Sequence, residues 1–128
     1  LAARAPDPSQ RRRSAYFLGL RAETLAVARL RIVGWRILDR RFLGGGGEID
    51  IVAARGDCVA FVEVKARATL DAAITSINAQ KMRRMRLAAN AWLVRNPWAA
   101  GKTLRADAVL LAPRRWPRHE KNIFDLAD

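Results

Sequence analysis

Two alternating runs, Glu48 to Ala54 (EIDIVAA) and Cys58 to Arg67 (CVAFVEVKAR), are separated only by Arg55-Gly56-Asp57. No other feature limits the fold of this chain so tightly. A period of two reads as a β-strand, and a Gly-Asp pair between two such runs reads as a hairpin turn. With Gly56-Asp57 as the turn, Arg55 faces Cys58, Val52 faces Phe61, Asp50 faces Glu63 and Glu48 faces Lys65. Val52, Phe61, Asp50, Glu63, Glu48 and Lys65 share one face, while Ile49, Ile51, Val62 and Val64 share the other. A slip of one residue would set Asp50 against Val62 and mix the faces; a slip of two would keep the parity.

Like charges opposite each other destabilise a sheet, so Asp50 facing Glu63 calls for a cation. Lys65 is one source, and a metal is another. Two carboxylates with a backbone carbonyl and water suit Mg²⁺, which takes few protein ligands. The other reading of Asp50, Glu63, Lys65 and Glu48 is a solvated ion-pair lattice. Glu23 bears on the choice. Tyr16, Leu20, Glu23, Val27 and Leu30 form one helical stripe, on which Glu23 is the single carboxylate. An ionised group on an apolar stripe needs a partner. If the stripe packs on the face of Asp50 and Glu63, Glu23 arrives at the same place; pairing with a nearby arginine is the alternative.

Ser14 suits the start of that helix and Gly34 its end. Trp35 to Phe42 reads as a strand, and Gly44 to Gly47 as a flexible turn, since no Lys-Ser/Thr follows to make a phosphate loop. A second long helix runs from about Ser76 to Arg95 on a ridge of Ile77, Met82, Met85, Ala89 and Trp92. Thr103 to Leu111 is a further strand, and Asn122 to Leu126 a short last one. The order implies one mixed sheet with helices packed on it. At 128 residues the chain has room for one domain, here residues 14–128, preceded by a mobile basic arm over 1–13 that carries Arg11, Arg12 and Arg13.

Lysine and arginine number 24 against 12 acidic residues, a formal charge of +12 that attracts polyanions such as nucleic acid or an anionic membrane surface. The longest stretch without a charged side chain, Ala72 to Gln80, is too short to cross a bilayer, and no apolar signal segment follows the start. One cysteine, Cys58, and one histidine, His119, exclude a Cys/His zinc site and an internal disulfide, so a cytoplasmic location is expected. The remaining chemistry belongs to carboxylates, lysine and a hard metal ion.

The blocks Gly47-Glu48-Ile49-Asp50-Ile51-Val52 and Phe61-Val62-Glu63-Val64-Lys65-Ala66-Arg67 resemble the YraN family of small bacterial proteins. The likeness extends to Gly19…Glu23, Gly34-Trp35-Arg36-Ile37-Leu38, Lys81, Arg105-Ala106-Asp107-Ala108-Val109 and the tail around Asn122 and Phe124. That family is similar to the PD-(D/E)XK nucleases and archaeal Holliday-junction resolvases. The resemblance implies an α/β, restriction-endonuclease-like single domain, with a mixed central sheet flanked by helices. It also implies a Mg²⁺- or Mn²⁺-dependent endonuclease acting on DNA, including branched or distorted DNA, without a membrane partner and as a homodimer. Asp50 matches the superfamily's metal-binding acid, Glu63 and Lys65 its Glu-x-Lys pair, and Glu23 the helical acid of the resolvase branch. Departures are Ala66 where the family often has Thr, the glycine-rich lead to Gly47, and Ala106 in place of an aromatic residue.

The implied reaction is phosphodiester hydrolysis, with metal on Asp50, Glu63 and the Val64 carbonyl. Lys65 would position water or neutralise charge, and Glu23 would bind a second ion or orient the nucleophile. Lys81, Arg83, Arg84 and Arg86 read either as phosphate contacts or as a solvated helix face. Trp35 and Trp92 read as core; Trp98 and Trp116, in proline-containing loops, are the candidates for stacking on an unpaired base. His119 reads as a surface residue, and Asp107 as a structural partner or a remote member of the site. A nuclease fold that binds nucleic acid without cutting, and a basic adaptor for another protein, are the rival classes.

Overall fold

A computed structural model describes residues 21–127. The chain order is α1 (21–32), β1 (Arg36–Gly44), β2 (Gly47–Arg55), β3 (Cys58–Ala66), α2 (Leu70–Thr75), α3 (Ala79–Arg95), β4 (Thr103–Leu111) and β5 (Arg118–Phe124), with a 3-10 turn at Pro97–Gly101. Basic arm residues 1–13, Ser14, Tyr16 and Leu20 lie outside the described residues. The strands form one mixed five-stranded sheet in the order β1-β2-β3-β4-β5. Neighbours are antiparallel except β3 and β4, which run parallel and are joined by the α2–α3 crossover. This is the mixed α/β architecture of a restriction-endonuclease-like domain. Among the described residues no helix is long and apolar enough to cross a membrane.

Three layers result. On one side, Ala22, Ala26, Val27 and Leu30 of α1 bury against Ile51, Ala53, Ala60, Val62 and Val109. On the other, Ala88, Ala89 and Trp92 of α3 bury against Val52, Val59 and Phe61. The short α2 completes that side, with Leu70 and Ala73 against Ala108 and Leu110. The condition that would have brought the Glu23 stripe onto the Asp50 and Glu63 face is therefore not met. Of the stripe's described residues, Val27 and Leu30 bury with Ile51 and Val62.

The hairpin register is the expected one where the strands pair: Arg55 with Cys58, Val52 with Phe61, and Ile51 with Val62. Pairing between β2 and β3 stops there. Beyond it β2 stays with β1, through Phe42–Ile49 and Gly44–Gly47, while β3 stays with β4, through Glu63–Ala108 and Ala66–Leu111. The sheet forks, and neither Asp50 with Glu63 nor Glu48 with Lys65 is a ladder pair as the simple count suggested. Alternation also breaks, since Ile49 buries with Val52 rather than with Ile51. Arg41, at φ 54, takes the left-handed region on the neighbouring strand near this break.

The helix expected from Ser76 starts at Ala79 and ends at Arg95 as anticipated, and a short helix not anticipated, Leu70–Thr75, precedes it; each has its own cap. The Thr69 hydroxyl accepts the Ala72 N–H at 3.0 Å and the Asn78 side chain accepts the Lys81 N–H at 2.9 Å. Gly34, at φ 95, ends α1 as anticipated. The glycine run is a tight turn and also a packing surface. Gly45 and Gly46 adopt φ 61 and 84, as a two-residue hairpin requires. A methyl group at Gly47 would run into the Arg84 carbonyl of α3, and one at Gly45 would lie 2.7 Å from the Leu87 carbonyl oxygen. The hairpin thus rests on the helix backbone itself. The last strand begins at Arg118, four positions earlier than expected, and contains Asn122 at φ 54.

Candidate active site

The fork is where the charged residues gather. Asp50, at the first unpaired position of β2, turns its carboxylate into the gap, and its Oδ2 accepts the Val64 N–H at 2.8 Å. Glu63, across the gap on β3, is 1% exposed. Lys65, two residues along the same strand, places its ammonium 3.3 Å from Glu63 Oε1. Lys81, in the first turn of α3, places its own 3.4 Å from Glu63 Oε2 and donates to Glu48 Oε1 at 3.1 Å. The Lys81 distance is an ion-pair contact only, since Glu63 Oε2 is buried without a hydrogen-bond partner among the described residues.

These surroundings shift the acids in different ways. Burial, followed by the charge of Asp50, pushes the Glu63 carboxyl up to about 7, against the opposing pull of Lys81 and Lys65. Burial also raises Asp50, although the Val64 N–H favours its ionised form. Glu48, half-exposed and hydrogen-bonded by Lys81, is lowered. Burial alone would depress the Lys81 ammonium; Glu63 and Glu48 outweigh it and raise the group above the ordinary lysine value.

Glu23 reaches the same cleft from α1 but not the carboxylate pair. Its Oε1 accepts from Arg40 Nε at 3.0 Å and its Oε2 from Arg41 Nε at 2.9 Å. The arginine partner that the stripe required is a pair from β1. Glu23, Asp50, Glu63, Lys65 and Lys81 all line one open cleft of about 1390 Å³. Among the described residues no three acidic, histidine or cysteine side chains converge as a metal-binding group. Two carboxylates nevertheless meet the protein share of a Mg²⁺ shell, with water completing it. A buried, unpartnered Glu63 oxygen beside a second carboxylate fits such an ion.

Lys81 is the residue whose position sequence reasoning missed, since neither a phosphate contact nor a solvated helix face places it against Glu63 and Glu48. A signal was present: with Asn78 as cap, Lys81 falls in the first helical turn, where a cation opposes the helix dipole and needs an acidic partner. Arg83 and Arg84 are exposed on α3. Arg86 is already engaged, donating to the Asp125 carbonyl at 2.9 Å and lying 4.8 Å from the Phe124 ring centroid. Arg11, Arg12 and Arg13 lie outside the described residues.

Asp107 is a structural partner rather than part of the cleft. Arg105 grips it at 2.9 and 2.8 Å, the Asn122 N–H donates at 2.9 Å, and His119 Nε2 lies 2.7 Å from its Oδ2. Burial would raise Asp107, but His119, Arg105 and Asn122 together hold it down at about 2. His119 is therefore buried, not a surface residue, with its ring 5.8 Å edge-on from Trp35. Trp35 and Trp92 are core, while Trp98 and Trp116 are exposed.

Comparison with known proteins agrees with the sequence resemblance. Residues 22–111 match the profile described as "Uncharacterised protein family UPF0102". A UPF0102 protein of Methylorubrum extorquens is 59% identical over 120 residues, covering 94% of each chain. One from Methylobacterium nodulans is 58% identical over 124 residues, covering 96% of each. A third, from Rhodopseudomonas palustris strain BisA53, is 49% identical over 121 residues, covering 94% of this chain and 93% of its own. The chain belongs to the UPF0102 (YraN) family.

Proposed function

We propose that this protein is a divalent-metal-dependent endonuclease that hydrolyses phosphodiester bonds in DNA. The observation that carries the reading is the fork itself: Asp50 and Glu63 side by side, a Glu63 oxygen without a hydrogen bond, and a lysine two residues on. Asp50 and Glu63 would hold Mg²⁺ or Mn²⁺. When bound, such an ion polarises the phosphate and lowers the pKa of water. Lys65 sets a fixed positive charge where charge builds on the phosphoryl oxygens, and so contributes more in the transition state than in the ground state. Lys81 holds the carboxylates ionised and close. Glu23, neutralised by Arg40 and Arg41, positions β1 against α1 at the cleft wall. Exposed Arg83 and Arg84, with the net charge of +12, supply contacts to the sugar–phosphate backbone.

The non-catalytic binding module is the second reading, favoured by the two lysines that already face Glu63. Cleavage assays separate the two. Labelled linear, single-stranded and four-way-junction DNA would be incubated with wild type and Asp50→Asn, with Mg²⁺, Mn²⁺ or chelator. Metal-dependent cuts lost in Asp50→Asn are expected. Binding of all the DNAs without any cut under any condition would leave the binding module standing.

A further inference from the structure

Trp116, in the β4–β5 loop, is 87% exposed, although a tryptophan gains most from burial. It lines the same cleft as Asp50 and Glu63, together with Pro113, Arg114, Arg115 and Pro117. The loop is tied at both ends. Arg115 N–H donates to the Ala112 carbonyl at 3.3 Å, and Arg29 Nε of α1 donates to the Pro117 carbonyl at 3.2 Å. The other tryptophans are accounted for inside the fold: Trp35 and Trp92 are buried, and Trp98 meets Trp92 edge-on at 6.0 Å.

We propose that Trp116 is a stacking platform for an unpaired base, so that the cleft takes a single-stranded segment of nucleic acid. This rests on the nucleic-acid-binding half of the function proposed above and not on cleavage. In an intact duplex both faces of each base are covered by its neighbours, and an indole at the cleft rim has nothing to stack on. An unpaired base offers a free face, whatever its identity. The phosphates on either side of that base meet Arg114 and Arg115. The cleft lining as a whole carries seven basic and four acidic side chains, so it attracts a polyanion despite the carboxylates at its floor. A strand seated on Trp116 crosses the cleft that contains Asp50 and Glu63.

The test is binding in chelator, which keeps it independent of cleavage. Anisotropy at fixed salt would compare wild type, Trp116→Ala and Trp116→Phe on three fluorescent probes: a single-stranded oligonucleotide, a blunt duplex, and a strand of equal length made of abasic sites. Trp116→Ala is expected to weaken single-strand binding at least about fivefold while changing duplex and abasic binding by less than about twofold, with Trp116→Phe close to wild type. Equal single-strand affinity of wild type and Trp116→Ala overturns the proposal, and so does an equal loss on all three probes. A Trp116→Ala effect seen only on sedimentation, with single-strand binding unchanged, assigns the indole to a protein contact and overturns it as well. A protein that binds single strands through Trp116 yet never cuts with Mg²⁺ keeps this inference and removes the nuclease reading.

Discussion

The ammonium of Lys81 stands 3.4 Å from Glu63 Oε2, an oxygen that has no hydrogen bond. Charge is balanced there without a directional contact, which leaves the lone pairs of that oxygen open to a stronger cation. On the proposed reading, Lys81 is a counter-ion that a divalent metal would outcompete.

Metal binding should depend on charge at Asp50 and not on shape. Asp50→Asn keeps an acceptor for the Val64 N–H and should lose Mn²⁺ binding in calorimetry, with a melting temperature at or above that of the metal-free wild type. Asp50→Ala should lose the metal as well, and also about 1–3 kcal/mol of stability, because the Val64 N–H is left unpaired. Equal Mn²⁺ binding by wild type and Asp50→Asn would remove the metal role of Asp50.

Stability of the metal-free protein should fall as pH rises across the Glu63 transition. The folded-state value of about 7 exceeds the ordinary 4.5, so the folded form holds a proton that the unfolded form has released. The contribution is complete below about pH 4.5 and lost by about pH 7, on the order of 3 kcal/mol. Asp107 acts in the opposite sense: held at about 2, it stabilises above its ordinary 3.8 and is lost as pH falls through 2. Urea titrations from pH 4.5 to 8 should show the first slope in wild type and a flatter one in Glu63→Gln. An identical slope in both would assign the dependence elsewhere.

Lys65→Met should separate binding from chemistry. One cation among 24 is a small part of the field, so DNA affinity should be nearly unchanged. Single-turnover cleavage should slow by at least ~10²-fold, the scale of removing one preorganised electrostatic contact. Lys81→Met should instead raise Mn²⁺ affinity at pH 8.5, above the Glu63 transition of the wild type, because the competing ammonium is gone. Cleavage by Lys65→Met at the wild-type rate would reduce Lys65 to a member of an ion-pair lattice.

Gly47→Ala should be costly for steric reasons, because its methyl meets the backbone carbonyl of Arg84, which cannot rotate away. A loss of about 1–3 kcal/mol is expected, the range for overpacking a well-filled interior. Gly46→Ala has open space around it and should lose about 1–2 kcal/mol from its positive φ alone. The two differ in Mn²⁺ affinity at pH 8.5, which should rise only in Gly47→Ala, where α3 is pushed outward and carries Lys81 away from Glu63.

Alternation and turn chemistry made the hairpin readable, and with it the Arg55–Cys58, Val52–Phe61 and Ile51–Val62 pairs, since a one-residue slip there would expose the core. The same count failed at Asp50 and Glu63 and at Glu48 and Lys65. A period of two assumes an unbroken ladder, and this ladder ends at Ile51 and Val62 because the Asp50 carboxylate takes the next backbone donor. The side on which α1 packs was not legible, as both sheet faces carry apolar residues near the hairpin. His119 was misread because its partners Asp107 and Trp35 are remote in sequence, and a lone histidine in a basic tail gives no sign of burial. Glu23 was legible as a carboxylate in need of a partner; which partner it took depended on β1 lying beside α1.

Across the fork, Asp50 and Glu63 belong to different ribbons, one shared by β1 and β2 and the other by β3 and β4. Two residues inside a ladder are held at a distance set by the whole row of hydrogen bonds beside them. These two are linked across the gap by the Asp50–Val64 bond, in the manner of jaws joined near their pivot. Drawing the carboxylates together, or parting them, strains that bond and leaves the rows behind it intact. The span between the acids thus rests on a single side-chain bond rather than on a row of backbone ones.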